Sequence, residues 1–244
     1  MKLSKKDIAV VIPVYKTTLS KSEEMALLQA KEVLSDYKRI LVCPDSLDVG
    51  NYLSADSDLA TERFSDHYFS NIKGYNRLMM CPGFYQRFLQ YKYVLIYQTD
   101  AWVFRDELLD WCEKGYDYIG APWVSIPPSG KKTIFNLSKL LFGKVGNGGF
   151  CIRNVQKFHR SAVVFRPFSL LFSKNEDFFW CYLVPKLNPS FRIPSAEIAM
   201  HFAFELDPEK CFEKTGHQLP FGCHAWEKYN PRFWSSYIPV NRQA

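Results

Sequence analysis

No stretch of the chain approaches the ~20 consecutive apolar residues that a membrane-spanning helix needs. There is no Cys-x-x-Cys pair, and the seven cysteines are an odd number. Neither a disulfide framework nor a zinc ribbon is indicated, and a reducing cytosol is the expected compartment. Internal repeats, low-complexity tracts and linker-like segments are missing. So are the Gly-Lys-Ser/Thr of a P-loop, the strand–glycines–helix order of a dinucleotide fingerprint and the Gly-x-Ser-x-Gly of a nucleophile elbow. Charge of one sign is only modestly in excess: 31 Lys and Arg against 25 Asp and Glu give +6, which reads as spread along the chain. That balance suits an anionic small molecule or an anionic membrane surface. It lacks the dense basic stripe of a nucleic-acid binder.

What is present points to a globular body. Of 244 residues 47% are hydrophobic, and 20 Phe, 14 Tyr and 6 Trp offer a large core with an aromatic-lined cleft. The basic opening, residues 1–6, runs into the apolar residues 8–14 without a small-residue cleavage site, which reads as a buried strand and not a signal peptide. A continuous apolar run of strand length is buried on both faces, as in a central parallel strand. Ser20-x-x-Glu23 is a capping box, and Ala26, Leu27, Ala30, Val33 and Leu34 follow at helical spacing. Further strands are expected at 39–43, near 61–64, at 93–97 and at 150–153. Helices are expected at 74–80, at 82–90 with Pro82 at its start, at 106–114 ended by Gly115, after Asn175, and at 195–204. Residues 124–145 read as a loop with Lys131-Lys132 at its tip. Strand–helix alternation over the first ~115 residues implies an α/β sheet. One continuous domain, 1–244, is expected, with a nucleotide-type half at about 1–123 and a substrate half at about 124–244.

In open α/β sheets, ligands bind beyond the carboxyl ends of the strands. Pro13-Val14-Tyr15-Lys16 and Gln98-Thr99-Asp100 fall at such ends. Asp100 is either a turn cap or a ligand for a divalent cation that in turn holds a diphosphate. Gly146-Asn147-Gly148-Gly149 is either a tight turn or a loop that lets backbone approach a ligand closely. Glu176-Asp177 either offsets a helix dipole or supplies a general base. His224 could ligate a metal and Trp226 could stack on a sugar ring; a structural histidine and a core tryptophan are the plain readings. His67, His159, His201 and His217 show no ligand spacing, and His201, within an apolar helix, is expected in a core or an interface.

Taken together, four segments resemble those of an uncharacterised, mainly bacterial family assigned to glycosyltransferases of GT-A type. They are Tyr97-Gln98-Thr99-Asp100, the segment Tyr118-Ile119-Gly120-Ala121-Pro122-Trp123, the loop Gly146-Asn147-Gly148-Gly149-Phe150, and Pro220-Phe221-Gly222-Cys223-His224-Ala225-Trp226. The order of motifs is also similar to that of the β-1,4-galactosyltransferases. Ile12-Pro13-Val14-Tyr15 resembles their first-strand donor segment, and Tyr75-Asn76-Arg77 their aromatic-Asn-Arg element. Gln98-Thr99-Asp100 falls where they carry Asp-x-Asp, and Gly148-Gly149 on their substrate-binding glycines. Asn175-Glu176-Asp177 resembles their Gly-Glu-Asp cluster, and His224 their late metal-binding histidine. One departure matters: Gln98 replaces the first acid of Asp-x-Asp, and an amide oxygen is a weaker ligand for a hard cation.

The resemblance implies a GT-A-like single α/β domain around a mixed central sheet, with a Rossmann-like nucleotide-binding half. It implies sugar transfer from a nucleotide-sugar, with a UDP-sugar favoured, to a hydroxyl of a glycan or lipid-linked glycan. Pro13, Val14, Tyr15, Asn76, Arg77 and Thr99 would hold the donor, with Gly148 and Gly149 under the sugar. Asp100 and His224 would bind Mn²⁺ or Mg²⁺. Asp177 would be the base of an inverting reaction, Glu176 would bind a sugar hydroxyl, and Trp123 and Trp226 would contact the acceptor. Surface polysaccharide or lipopolysaccharide synthesis is the expected setting, in the cytoplasm or attached at the inner face of the membrane, without nucleic acid. A nucleotidyltransferase, or a nucleotide- or glycan-binding protein without turnover, are the alternatives.

Overall fold

Strand β1 (Ile8–Pro13) is buried along its whole length, and its alternating side chains enter two different core layers. Ile8, Val10 and Ile12 pack on one face with Leu41, Leu95 and Ile152. Ala9 and Val11 pack on the other with Val42, Val94, Phe84 and Phe158. A strand apolar at every position is stable only when both faces are covered, which is why the run has no polar alternation. The computed structural model describes residues 2–125, 140–171 and 175–239.

Strands β2 (Lys38–Pro44) and β4 (Tyr93–Tyr97) pair with β1 in parallel on either side, and β3 (Ala60–Phe64) pairs in parallel with β2. Strand β7 (Phe150–Asn154) is antiparallel to both β4 and β6 (Tyr118–Gly120), which completes a mixed six-stranded sheet of order β3-β2-β1-β4-β7-β6. A second sheet joins β5 (Ala101–Val103), β9 (Gly222–His224) and β8 (Ala203–Phe204). The helix Lys21–Val33 is closed by the expected capping box, with Ser20 and Glu23 satisfying each other's backbone N–H. The helix at Glu176 is capped by Asn175, whose side chain accepts from the Phe178 N–H at 2.9 Å.

Several boundaries differ from expectation. The helix expected to reach residue 204 is Ala196–Phe202, because Ala203 and Phe204 are drawn out to pair in parallel with β9. The helix at Pro82 ends at Gln86. The helix before Gly115 spans Leu108–Glu113, and Gly115 turns the chain with φ of 71°, a conformation glycine adopts without steric cost. His201 is exposed and not part of a core. The Lys131-Lys132 tip lies outside the described residues.

Strand β2 and the end of the helix Gly50–Ala55 are tied together by a buried ion pair. Arg39 on β2 donates to both oxygens of Asp56, at 2.8 and 3.1 Å. Truncating one partner would strand a charge in the core. Asp56→Ala is therefore expected to lower stability by about 3–5 kcal/mol, read from the urea midpoint at unchanged m-value.

Candidate active site

A cavity of about 600 Å³ opens beyond the carboxyl ends of β1 and β4. These two neighbours are where the strand order reverses, with β2 leading one way and β4 the other. Such a switch point splays the loops apart and leaves a crevice. Pro13 and Tyr15 reach the cavity from β1, and Gln98, Thr99 and Asp100 from β4.

The second sheet brings the far end of the chain to the same place. Antiparallel pairing sets Ala101 opposite His224, and the Ala225 N–H donates to the Asp100 carbonyl at 3.0 Å. The His224 ring then has three partners. Nδ1 lies 3.1 Å from Glu205 Oε1, and Nε2 lies 3.1 Å from both Asp100 Oδ1 and Gln98 Oε1. Burial opposes a charged ring, but hydrogen bonds and charge from Asp100 and Glu205 outweigh it, and the His224 pKa is pushed up to about 10.

The same atoms can be tested against a divalent cation. Two donors ~2.1 Å from one octahedral ion lie about 3.0 Å apart, close to the observed 3.1 Å from Nε2 to each oxygen. Among the described residues no three His, Cys, Asp or Glu side chains form a metal cage. The donor set is Asp100, His224 and the amide of Gln98, which suits a hard cation that fills its shell with water and phosphate oxygens. Binding it would displace the His224 proton.

The acid pair sits opposite. Glu176 is buried, and both its oxygens lie 3.2 Å from Nη2 of the wholly buried Arg153. Arg153 also donates to the Tyr85 hydroxyl at 2.7 Å. Asp177 is different. Its Oδ1 is buried without a hydrogen-bond partner, although the Gly148 N–H faces its carboxylate. Desolvation first, then the charges of Glu176 and Glu205, push its pKa up to about 8.

The glycine loop is needed for close approach. A Cβ on Gly148 would land on the Glu176 carboxylate, and one on Gly149 on the His224 ring. Asn147 takes φ of 81°, which asparagine tolerates better than most residues, and accepts the Gly149 N–H at 2.9 Å. The Gln98 N–H donates to the Gly149 carbonyl at 2.9 Å, tying this loop to β4.

Of the expected site residues, the structure brings Pro13, Tyr15, Asn76, Thr99, Asp100, Gly148, Gly149, Glu176, Asp177 and His224 to one cavity. Four others fall elsewhere. Val14 is buried in the core. Arg77 is exposed and off the cavity lining. Trp123 fills the space where a Gly146 side chain would stand. Trp226 is 1% exposed and packs edge-on against Trp102, so neither tryptophan presents a face to a ligand. Three polar residues were missed. Glu23 binds Lys16 at 2.6 Å and Thr99 at 2.9 Å, Glu205 binds His224, and Arg153 anchors Glu176. The signal for Arg153 was a lone cation in the apolar strand Phe150–Asn154, which requires a buried carboxylate partner.

Two solved glycosyltransferase structures share this architecture. The glycosyltransferase GlyE in Streptococcus pneumoniae TIGR4 matches with 15% identity and a TM-score of 0.54, over 96% of this chain and 60% of its own. An active-site mutant of LgtC matches with 13% identity and a TM-score of 0.55, over 97% of both chains. At these identities the likeness establishes the fold, which is that of the GT-A glycosyltransferases. This chain spans 60% of the length of GlyE. No curated protein matches it. The chain belongs to the family described as Protein of unknown function (DUF5672), whose model matches residues 58–224.

The raised pKa of Asp177 has a stability consequence. Its carboxyl titrates near ~3.9 when unfolded and at about 8 when folded. Between these values the folded state holds the proton more tightly, so the group subtracts stability as pH rises from ~4 to about 8. Asp177→Asn is expected to raise the thermal midpoint above pH 8 by at least the ~2–4 °C that 1 kcal/mol gives in a chain of this size. Below pH 4 the gain disappears.

Proposed function

We propose that the protein transfers a sugar from a nucleotide-sugar, a UDP-sugar by preference, to a hydroxyl of a glycan or lipid-linked glycan. The observation that carries this reading is the charge of the cavity. Among the described residues five acidic side chains line it, those of Glu23, Asp100, Glu176, Asp177 and Glu205, and His224 is the one cationic side chain of that lining. Lys16 and Arg153 offset Glu23 and Glu176, but Asp100 and Glu205 share the single ring of His224, so the described lining offers a diphosphate no cation of its own. A divalent cation would supply one, and Asp100, His224 and Gln98 are the residues that would hold it. When bound, it offsets the negative charge that develops on the leaving diphosphate.

The protein's own groups divide the remaining work. Pro13, Tyr15 and Asn76 line the side of the cavity next to β1, where the nucleotide would sit. Gly148 and Gly149 give the donor sugar a surface without side chains. Asp177 takes the proton of the acceptor hydroxyl as its oxygen bonds to the anomeric carbon. The bond from that carbon to the diphosphate oxygen breaks, and the nucleoside diphosphate leaves with the electron pair. A base on the face opposite the leaving group inverts the anomeric centre. Glu176, neutralised by Arg153, positions the Asp177 carboxylate and the Gly148 loop. The reading extends to surface polysaccharide or lipopolysaccharide synthesis at the inner face of the membrane.

A thermal-shift panel of nucleoside diphosphates with Mn²⁺, Mg²⁺ or EDTA tests the donor half, since a ligand specific to the native state raises the midpoint. A shift with uridine diphosphate that EDTA abolishes is expected. No shift with any nucleotide would favour a glycan-binding protein without turnover. With a donor in hand, Asp177→Asn is expected to lower the transfer rate by ~10²–10⁴-fold while leaving nucleoside-diphosphate affinity within about threefold of the parent. Retention of normal transfer would remove Asp177 as the base.

A further inference from the structure

The charge of this chain is not evenly distributed. Residues 67–99 and 118–175 together hold 13 of the 31 Lys and Arg and none of the 25 Asp and Glu. The rest of the chain is net acidic. Such asymmetry marks an interaction surface only if the basic side chains are brought together, exposed and unpaired.

Two helices meet these conditions. Ile72–Met79 and Val155–Val164 lie on the same side of the central sheet, because Leu78 and Met79 of the first share one core layer with Phe158 and Ala162 of the second. Their opposite sides therefore point outward together. Lys73, Arg77 and Arg160 are exposed on them, and Arg166 is exposed at the start of the next helix, Arg166–Leu171. None of the four is in an ion pair among the described residues, whereas Arg87 of the same stretch is taken by Glu62 at 3.5 Å. The Tyr68 phenol feels the charges of both Arg77 and Arg166, which sets those two cations on one patch.

The same face carries apolar side chains that no packing requires. Ile72 is 80% exposed, Val164 66%, Val163 52% and Phe168 44%. Ile72 also lines the rim of the large cavity. Scattered single apolar residues on a surface are ordinary. Four interleaved with four unpaired cations, and no acid in either stretch, form an amphipathic basic face of the kind that lies on charged bilayers.

We propose that this face, beside the mouth of the cavity, docks the protein on a bilayer rich in anionic lipid. The cations meet the headgroups, and Ile72, Val163, Val164 and Phe168 enter the headgroup–acyl boundary. Attachment on this side would hold the cavity rim at the membrane surface. The inference rests on the membrane setting of the proposed function and not on the transfer chemistry, so vesicle binding and sugar transfer can fail separately.

Flotation of the full chain with phosphatidylcholine vesicles, with and without about 30% phosphatidylglycerol, tests it. Binding is expected only with phosphatidylglycerol, and lost at 500 mM salt as screening shortens the reach of the charges. Each charge removed is expected to cost about fivefold in affinity, so Lys73→Glu, Arg77→Glu, Arg160→Glu and Arg166→Glu together should abolish binding. Reversal of four exposed lysines elsewhere, Lys2, Lys6, Lys21 and Lys214, should weaken it far less. A second variant, Val163→Ser with Val164→Ser and Phe168→Ser, keeps the charge and should also lose binding. Failure to bind anionic vesicles at low salt overturns the proposal, as does equal loss from both charge reversals. Tight binding to heparin that the serine variant retains, with no vesicle binding, would reassign the face to a soluble polyanion.

Discussion

Carboxylates crowded around one cavity have to be neutralised, and the molecule meets that constraint with a different device for each. Glu23 closes the helix cap and binds Lys16 and Thr99. Asp100 and Glu205 share the ring of His224 from its two sides. Glu176 is matched by Arg153, which is fully enclosed among Tyr85, Cys151 and the aromatic core. Among the described residues Asp177 has no cation partner of its own, and burial first, then the charges of Glu176 and Glu205, raises its pKa. Removing a carboxylate from water costs several kcal/mol unless a partner compensates. The least compensated acid is therefore the one held nearest to neutrality in its titration.

These pairings depend on bringing together parts of the chain that are far apart in sequence. Strand β7 runs against β4, so the loop before it, Gly146 to Gly149, folds back over the end of β4 and bonds to Gln98. Strand β9 runs against β5, so His224 arrives beside Asp100 from more than a hundred residues away. Strand β8, parallel to β9, delivers Glu205 to the other side of the same ring. Side chains at Gly148 or Gly149 would occupy the positions of Glu176 and His224, so these contacts form only because the loop has none. The parallel strands thus supply Pro13, Tyr15 and the residues from Gln98 to Asp100, and the additions β7, β8 and β9 bring the glycine loop, Glu205 and His224 to them.

The charge arrangement continues to the exterior. The cavity gathers acids, while the neighbouring helices carry unpaired cations and exposed apolar groups without acids between them. A modest net charge of +6 conceals this separation, because the acidic and basic stretches nearly cancel in the sum. Potential at a surface depends on where charges lie and not on their total.

Much of this protein was legible in its sequence. The continuous apolar run at 8–14 read as a strand buried on both faces and 93–97 as a further strand, and the Ser20–Glu23 box started a helix by local hydrogen bonding alone. Asp100, Gly148, Gly149, Asp177 and His224 were recognisable as candidates because their residue types at strand ends, in a glycine loop and at a helix start are costly to place without purpose. Glu205, whose partner lies 19 residues on, and Glu23, whose partner Thr99 lies 76 residues on, left no local mark. The two tryptophans failed as ligand platforms because an aromatic residue near a motif reads the same whether it faces a cavity or a core. Local sequence determined the strands, the caps and the loop that needed glycine, since each rests on short-range sterics and hydrogen bonding. Which carboxylate meets which cation, and which aromatic face is covered, was decided only by the tertiary structure, because charge pairing and burial are set by neighbours that the chain brings together through folding.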